Sequence, residues 1–125
     1  MNYQTPLAKA RGLGSAGAGS QDWWRQRVTA IALTPLSLWL GFSVSRLPGL
    51  DHGAVLAWAK HPWNSLLLLS FIIVAVYHAV LGLRVVIEDY VHPEPAKLIA
   101  LLGVNLLFSF VGLAAVYATL RITFS

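Results

Sequence analysis

His78 sits in Ser65–Leu83, a stretch with no Asp, Glu, Lys or Arg. At about 1.5 Å rise per residue, some 20 apolar residues cross the roughly 30 Å hydrocarbon core of a bilayer. An ionisable side chain at that depth is costly, and it marks either a functional site or an interhelical contact. Just beyond it the chain places Arg84, Glu88, Asp89 and Tyr90. A buried imidazole followed by a polar cluster at the membrane edge is the richest chemical signal in the sequence. With about 100° of rotation per helical residue, Asp89 falls nearly in line with His78, and Gly82 and Ala75 lie close to the same stripe.

Two readings of His78 stay open on these residues alone. An imidazole can hydrogen-bond a neighbouring helix as packing glue. A neutral imidazole in an apolar groove walled by small residues can also ligate the iron of a bulky planar group, and haem is the natural candidate. With one usable histidine, a six-coordinate haem would take its second ligand from another chain. Zinc fits poorly, because His52, His61, His78 and His92 do not pair at i, i+4 and fall at different depths. The chain has no cysteine, which excludes disulfides, a thiolate-held iron–sulfur cluster and covalent c-type haem attachment. Tyr90, twelve positions past His78, is about 18 Å further along a helix, so it belongs to a separate, interfacial site or to an aromatic belt. Arg84 and Glu88 have the spacing of an ordinary i, i+4 ion pair.

The elements that must position these groups are membrane spans. Of 125 residues, 57% are hydrophobic and 11% charged, against about 25% charged in a soluble domain; the mean hydropathy is +0.65. The expected fold is all-α and integral to the membrane, with spans over roughly 23–47, 63–90 and 97–120 in an anchor domain covering 23–125. Pro48, Gly49 and Asp51 predict a turn, and His61-Pro62 and His92-Pro93-Glu94-Pro95 predict breaks. Residues 1–22 lack the apolar core of a secretory signal and read as a flexible cytoplasmic tail.

The net charge of +4 reflects Lys and Arg near the span ends, a membrane-lipid pattern rather than a nucleic-acid one. Lys9, Arg11, Arg25, Arg27, Arg84 and Lys97 fall on one side and Arg46, Lys60 and Arg121 on the other, which places the N-terminus in the cytoplasm. Trp23, Trp24, Trp58, Trp63 and Tyr90 mark the interfaces. Pro35 predicts a kink in the first span. Two small-residue stripes, Ala30-Thr34-Ser37-Gly41-Ser45 and Asn105-Ser109-Gly112, predict close helix packing.

The run His78-Ala79-Val80-Leu81-Gly82, followed by Asp89-Tyr90, resembles the second transmembrane helix of the succinate dehydrogenase hydrophobic membrane anchor family. Arg27-Val28-Thr29-Ala30 resembles that family's Arg-x-Thr-Ala entry to its first helix. The likeness covers about Trp23 to the C-terminus, and two motifs occur in the right order on the right spans. It implies three helices packing with a partner anchor subunit into a haem-binding bundle. It implies His78 as an axial ligand of haem b, shared with a partner cytochrome b556 subunit, and Tyr90 as a donor to a ubiquinone carbonyl. Asp89 would support the quinone site, and Arg27 would lie near the haem propionates.

The chain would then be a non-catalytic subunit of succinate:quinone oxidoreductase, joining the respiratory chain to the tricarboxylic acid cycle. FAD and the iron–sulfur clusters would reside on the flavoprotein and iron–sulfur partner subunits. The expected location is the bacterial inner membrane, with a mitochondrial inner membrane as the alternative. Competing readings are a fumarate reductase anchor, a small helical transporter lining a path with Asn105, Arg84 and Asp89, and a scaffold protein.

Overall fold

The computed structural model describes Pro6 and residues 16–125, without the side chains of residues 16–20 and Leu50. Among the described residues from 16 onward there are four α-helices and one 3-10 turn: α1 (Ala16–Ser45), the turn (Pro48–Leu50), α2 (His52–Lys60), α3 (Pro62–Tyr90) and α4 (Glu94–Thr123). No strand occurs among the described residues. Three segments are long and apolar enough to cross a membrane: Gln21–Ser45, Pro62–Tyr90 and Glu94–Thr123. The expected spans and breaks therefore hold to within a few residues.

The helix ends follow from local chemistry. The turn after α1 needs Gly49, whose φ of 64° is a left-handed conformation that costs a residue with a Cβ. α3 starts with Pro62 in its first turn, where a missing N–H costs nothing, and the Nδ1 atom of the His61 side chain accepts from Trp63 N at 3.2 Å. It ends at Tyr90, ahead of Pro93. α4 begins three residues before the expected Lys97, because Pro95 is tolerated in a first turn and Glu94 meets the positive end of the helix dipole.

Two elements differ from the sequence reading. α1 is already helical at Ala16, so the stretch 16–22 of the expected tail is helix; residues 1–5 and 7–15 of that tail lie outside the described residues. Asp22 gives this extension a tie to the bundle, 3.9 Å from both Arg25 and Arg84. α2 is an additional short helix packed on α3 and α4. Its Trp58 stacks on Trp39 of α1 at 5.6 Å and 24°, so Trp58 is a packing residue, while Trp23, Trp24, Trp63 and Tyr90 are exposed as a belt requires.

α3 is the central helix, packed on α1 along one side and on α4 along another. Gly112 lets α4 come close: a Cβ there would lie 3.2 Å from Val76 Cγ2. Polar side chains join the end of the bundle near the C-terminus. The hydroxyls of Ser65 and Thr123 bond each other, Ser65 Oγ also donates to Ala59 O at 2.8 Å, and Asn64 Nδ2 donates to Trp58 O at 3.0 Å. These bonds satisfy carbonyls that the last turn of α2 leaves open. α1 runs on through Pro35 as assigned helix, with Thr34 Oγ1 donating to Ala30 O at 2.9 Å.

Most of the small-residue stripe of α1 is uncovered within this chain, although Ala30 is half-buried. Thr34, Ser37, Gly41 and Ser45 are exposed, and a Cβ on Gly41 would meet nothing within 4 Å. α1 instead turns Gln26, Thr29, Leu33, Leu36 and Leu40 inward, all of them half-buried. The buried apolar side chains among the described residues are only Ala59, Leu81 and Ile87. Lipid tails are as apolar as leucine, so a membrane bundle gains little from burying hydrocarbon and depends on close contact and hydrogen bonds.

Candidate functional site

His78 lies mid-way along α3, half-buried against α1. Its Nδ1 atom is 2.8 Å from Thr29 Oγ1. The same hydroxyl lies 2.7 Å from Arg25 O and 3.0 Å from Gln26 O, carbonyls one turn earlier on α1. One turn further along α3, Gly82 leaves room for the Gln26 side chain, whose Nε2 would sit 3.6 Å from a Cβ at that position. The small stripe around His78 is thus filled by α1 rather than standing open as a groove.

The interhelical hydrogen bond that a packing role requires is therefore present, and it occupies one of two ring nitrogens. Nε2 has no hydrogen-bond partner among the described residues. Gln26 Oε1 is the one fully buried, unpaired side-chain polar atom there, and His78 itself is only half-buried. An imidazole held at Nδ1 and open at Nε2 has the arrangement of a metal ligand oriented by an outer partner. Among the described residues no three His, Cys, Asp or Glu side chains cluster to hold a metal. A single imidazole with one ring nitrogen unpartnered among the described residues suits a group ligated jointly with another chain, and haem fits that donor set.

The other expected site residues lie apart from His78. Tyr90 is the last residue of α3 and 78% exposed, with Asp89 exposed beside it. Neither side chain has a hydrogen-bond or ion-pair partner among the described residues, which leaves both free for groups outside this chain. Arg27 is exposed on α1 with its guanidinium 5.2 Å from the Trp23 ring centroid. It is two positions, about 200° of helical rotation, from Thr29, so the chain by itself does not bring Arg27 to His78. Arg84 pairs with Glu88 at 3.9 Å as its spacing predicts, and with Asp22 of α1 at the same distance.

Two cavities flank α3. The larger, about 570 Å³, runs between α3 and α4 past Val76, Tyr77, Val80, Asn105 and Ser109, with Arg25 and Arg84 in its lining; it includes neither His78 nor Asp89. The smaller, about 310 Å³, lies between α1 and α3 near Asp22, Gln26, Arg84 and Glu88. Gln26, with its buried unpaired oxygen, drew no attention in the sequence, because an amide at a membrane edge has no distinctive spacing. Thr29 was visible only as part of the Arg-x-Thr-Ala motif.

A family model described as succinate dehydrogenase/fumarate reductase transmembrane subunit matches residues 1–112. The chain is similar to the succinate dehydrogenase hydrophobic membrane anchor subunit of Rickettsia conorii, 40% identical over 91 residues, which is 72% of each chain. It is also similar to the subunit of that name from Paracoccus denitrificans, 36% identical over 121 residues, covering 97% of this chain and 93% of the relative. The succinate dehydrogenase membrane anchor subunit of Reclinomonas americana is 33% identical over 67% of this chain and 72% of its own. No solved structure matches.

Proposed function

Because this chain belongs to the succinate dehydrogenase/fumarate reductase transmembrane subunit family, we propose that it anchors a succinate:ubiquinone oxidoreductase, ligates a haem b and helps build the quinone site. Family and relatives indicate a multi-pass membrane anchor working within a multi-subunit succinate dehydrogenase. The relatives carry the succinate dehydrogenase name, which favours succinate oxidation over the fumarate reductase reading. Succinate oxidation itself falls to a flavoprotein subunit with FAD, and electron relay to an iron–sulfur subunit. A cytochrome b556 subunit supplies the second haem ligand. The complex resides in a bacterial inner membrane with the N-terminus of this chain in the cytoplasm, in keeping with the Lys and Arg distribution.

The observation that supports the haem assignment is the half-buried His78 ring, hydrogen-bonded at Nδ1 and without a partner at Nε2 among the described residues. When bound, the haem supplies a one-electron redox centre between the two anchor subunits. His78 holds it from this side, and Arg27 offers a guanidinium for a propionate. At the quinone, Tyr90 donates its phenolic hydrogen to a carbonyl oxygen, whose negative charge grows on reduction; such a donor acts strongly in a site of low dielectric. Asp89 beside it orients a cationic partner group.

A reduced-minus-oxidised absorption spectrum of the purified complex, with succinate–ubiquinone activity measured on the same sample, tests this reading. A b-type haem together with activity is expected. An active complex free of porphyrin would remove the haem assignment, and haem without quinone reduction would remove the quinone one.

A further inference from the structure

Resting on the haem reading of His78, we propose that Thr29 is a positioning residue that locks the His78 imidazole in its Nδ1–H tautomer. Thr29 Oγ1 has a single hydrogen and three near neighbours: Arg25 O at 2.7 Å, Gln26 O at 3.0 Å and His78 Nδ1 at 2.8 Å. The two carbonyls can only accept, so one of them, or both in a bifurcated bond, receives the hydroxyl hydrogen. The contact with the ring is satisfied at the same time only if His78 Nδ1 carries a hydrogen and donates it to the Thr29 oxygen. In the other tautomer the hydroxyl would have to leave the carbonyls to reach a bare Nδ1.

The consequence falls on the far nitrogen. A neutral ring protonated at Nδ1 presents a lone pair at Nε2, the atom left without a partner among the described residues. The bond to Thr29 also limits rotation of the ring about its attachment to α3, because α1 holds the acceptor in place. A donated Nδ1–H bond raises electron density at Nε2, and a more electron-rich axial ligand favours the oxidised iron. Thr29 therefore aims His78 and lowers the reduction potential of the haem.

Thr29→Val removes the hydroxyl at nearly constant shape, and Thr29→Ser retains it. In the purified complex, redox titration of the haem spectrum should give a more positive midpoint potential for Thr29→Val and a wild-type potential for Thr29→Ser. Should Thr29→Val lose haem altogether, a haem-replete Thr29→Ser complex at wild-type potential supports the hydroxyl's role. An unchanged potential in Thr29→Val overturns the proposal, as does a Thr29→Ser complex that shifts or loses haem as Thr29→Val does.

A second readout does not depend on haem. In ¹⁵N-histidine-labelled complex, the signal removed by His78→Gln should report a protonated Nδ1, and an unprotonated Nδ1 would overturn the proposal. If the wild-type complex carries no haem, the functional reading fails while this ¹⁵N measurement still decides the tautomer.

Discussion

At the scale of single residues, the candidate groups are divided between the middle of α3, at His78, and its C-terminal end, at Asp89 and Tyr90. His78 stood out in the sequence because any ionisable group in an uncharged span demands a reason. Its hydrogen-bond partner did not, since Thr29 lies 49 positions away and their meeting depends on how α1 is rotated against α3. Spacing along one helix cannot supply that rotation. Asp89 and Tyr90 were legible as a polar pair at the end of a span, where spacing alone favoured a belt role for Tyr90, and neither has a partner among the described residues. Tyr90→Phe removes one hydroxyl from a fully accessible position, so assembly should be unaffected. Quinone reduction should fall by about tenfold or more, since a lost donor to a developing oxyanion costs 10² to 10³ in favourable cases. Wild-type ubiquinone turnover by an assembled Tyr90→Phe complex would contradict the assignment.

At the scale of elements, proline and glycine punctuation marked the breaks between the spans, because a left-handed Gly49 and prolines that fit a first helical turn sit where helices stop and restart, whereas Pro35 does not end α1. α2 escaped because its nine residues are too few to show a membrane period, and its stability comes from contacts with α3, α4 and Trp39. Which face of α1 meets α3 was not legible for a related reason. A stripe of small residues permits close approach but does not require it, and the inward face is instead the one carrying Gln26, Thr29 and leucines. The α4 stripe does work at Gly112, where Val76 fills the space a side chain would need. Gly112→Val should therefore destabilise the α3–α4 contact by about 1–3 kcal/mol, lowering the thermal midpoint of the detergent-solubilised complex. Combining it with Val76→Ala should recover part of the loss, and strict additivity of the two changes would show that they do not meet.

At the scale of the whole molecule, so few side chains are buried within the chain that its order must depend on neighbours. The exposed stripe of α1, the open ends of His78 and Tyr90, and the outward Arg27 all turn surfaces toward other subunits or lipid. The fold class was legible from hydropathy, since a bilayer permits only helices or closed barrels; the partners were not, because an apolar face looks the same whether lipid or protein covers it. An odd number of spans puts the two ends of the anchor domain on opposite sides of the membrane. The absence of cysteine makes this easy to check with an impermeant thiol reagent. A Ser125→Cys chain should be labelled in intact cells, and a Glu94→Cys chain only after the inner membrane is opened. The reverse pattern would invert the orientation.

On the haem reading the Nε2 nitrogen of His78 binds iron. That claim is tested most directly by low-temperature absorption and electron paramagnetic resonance of the purified complex carrying His78→Leu. The account predicts that the low-spin, bis-imidazole haem signature of the wild-type complex disappears or changes to that of a different ligand set. An unaltered bis-imidazole spectrum in the His78→Leu complex would contradict it.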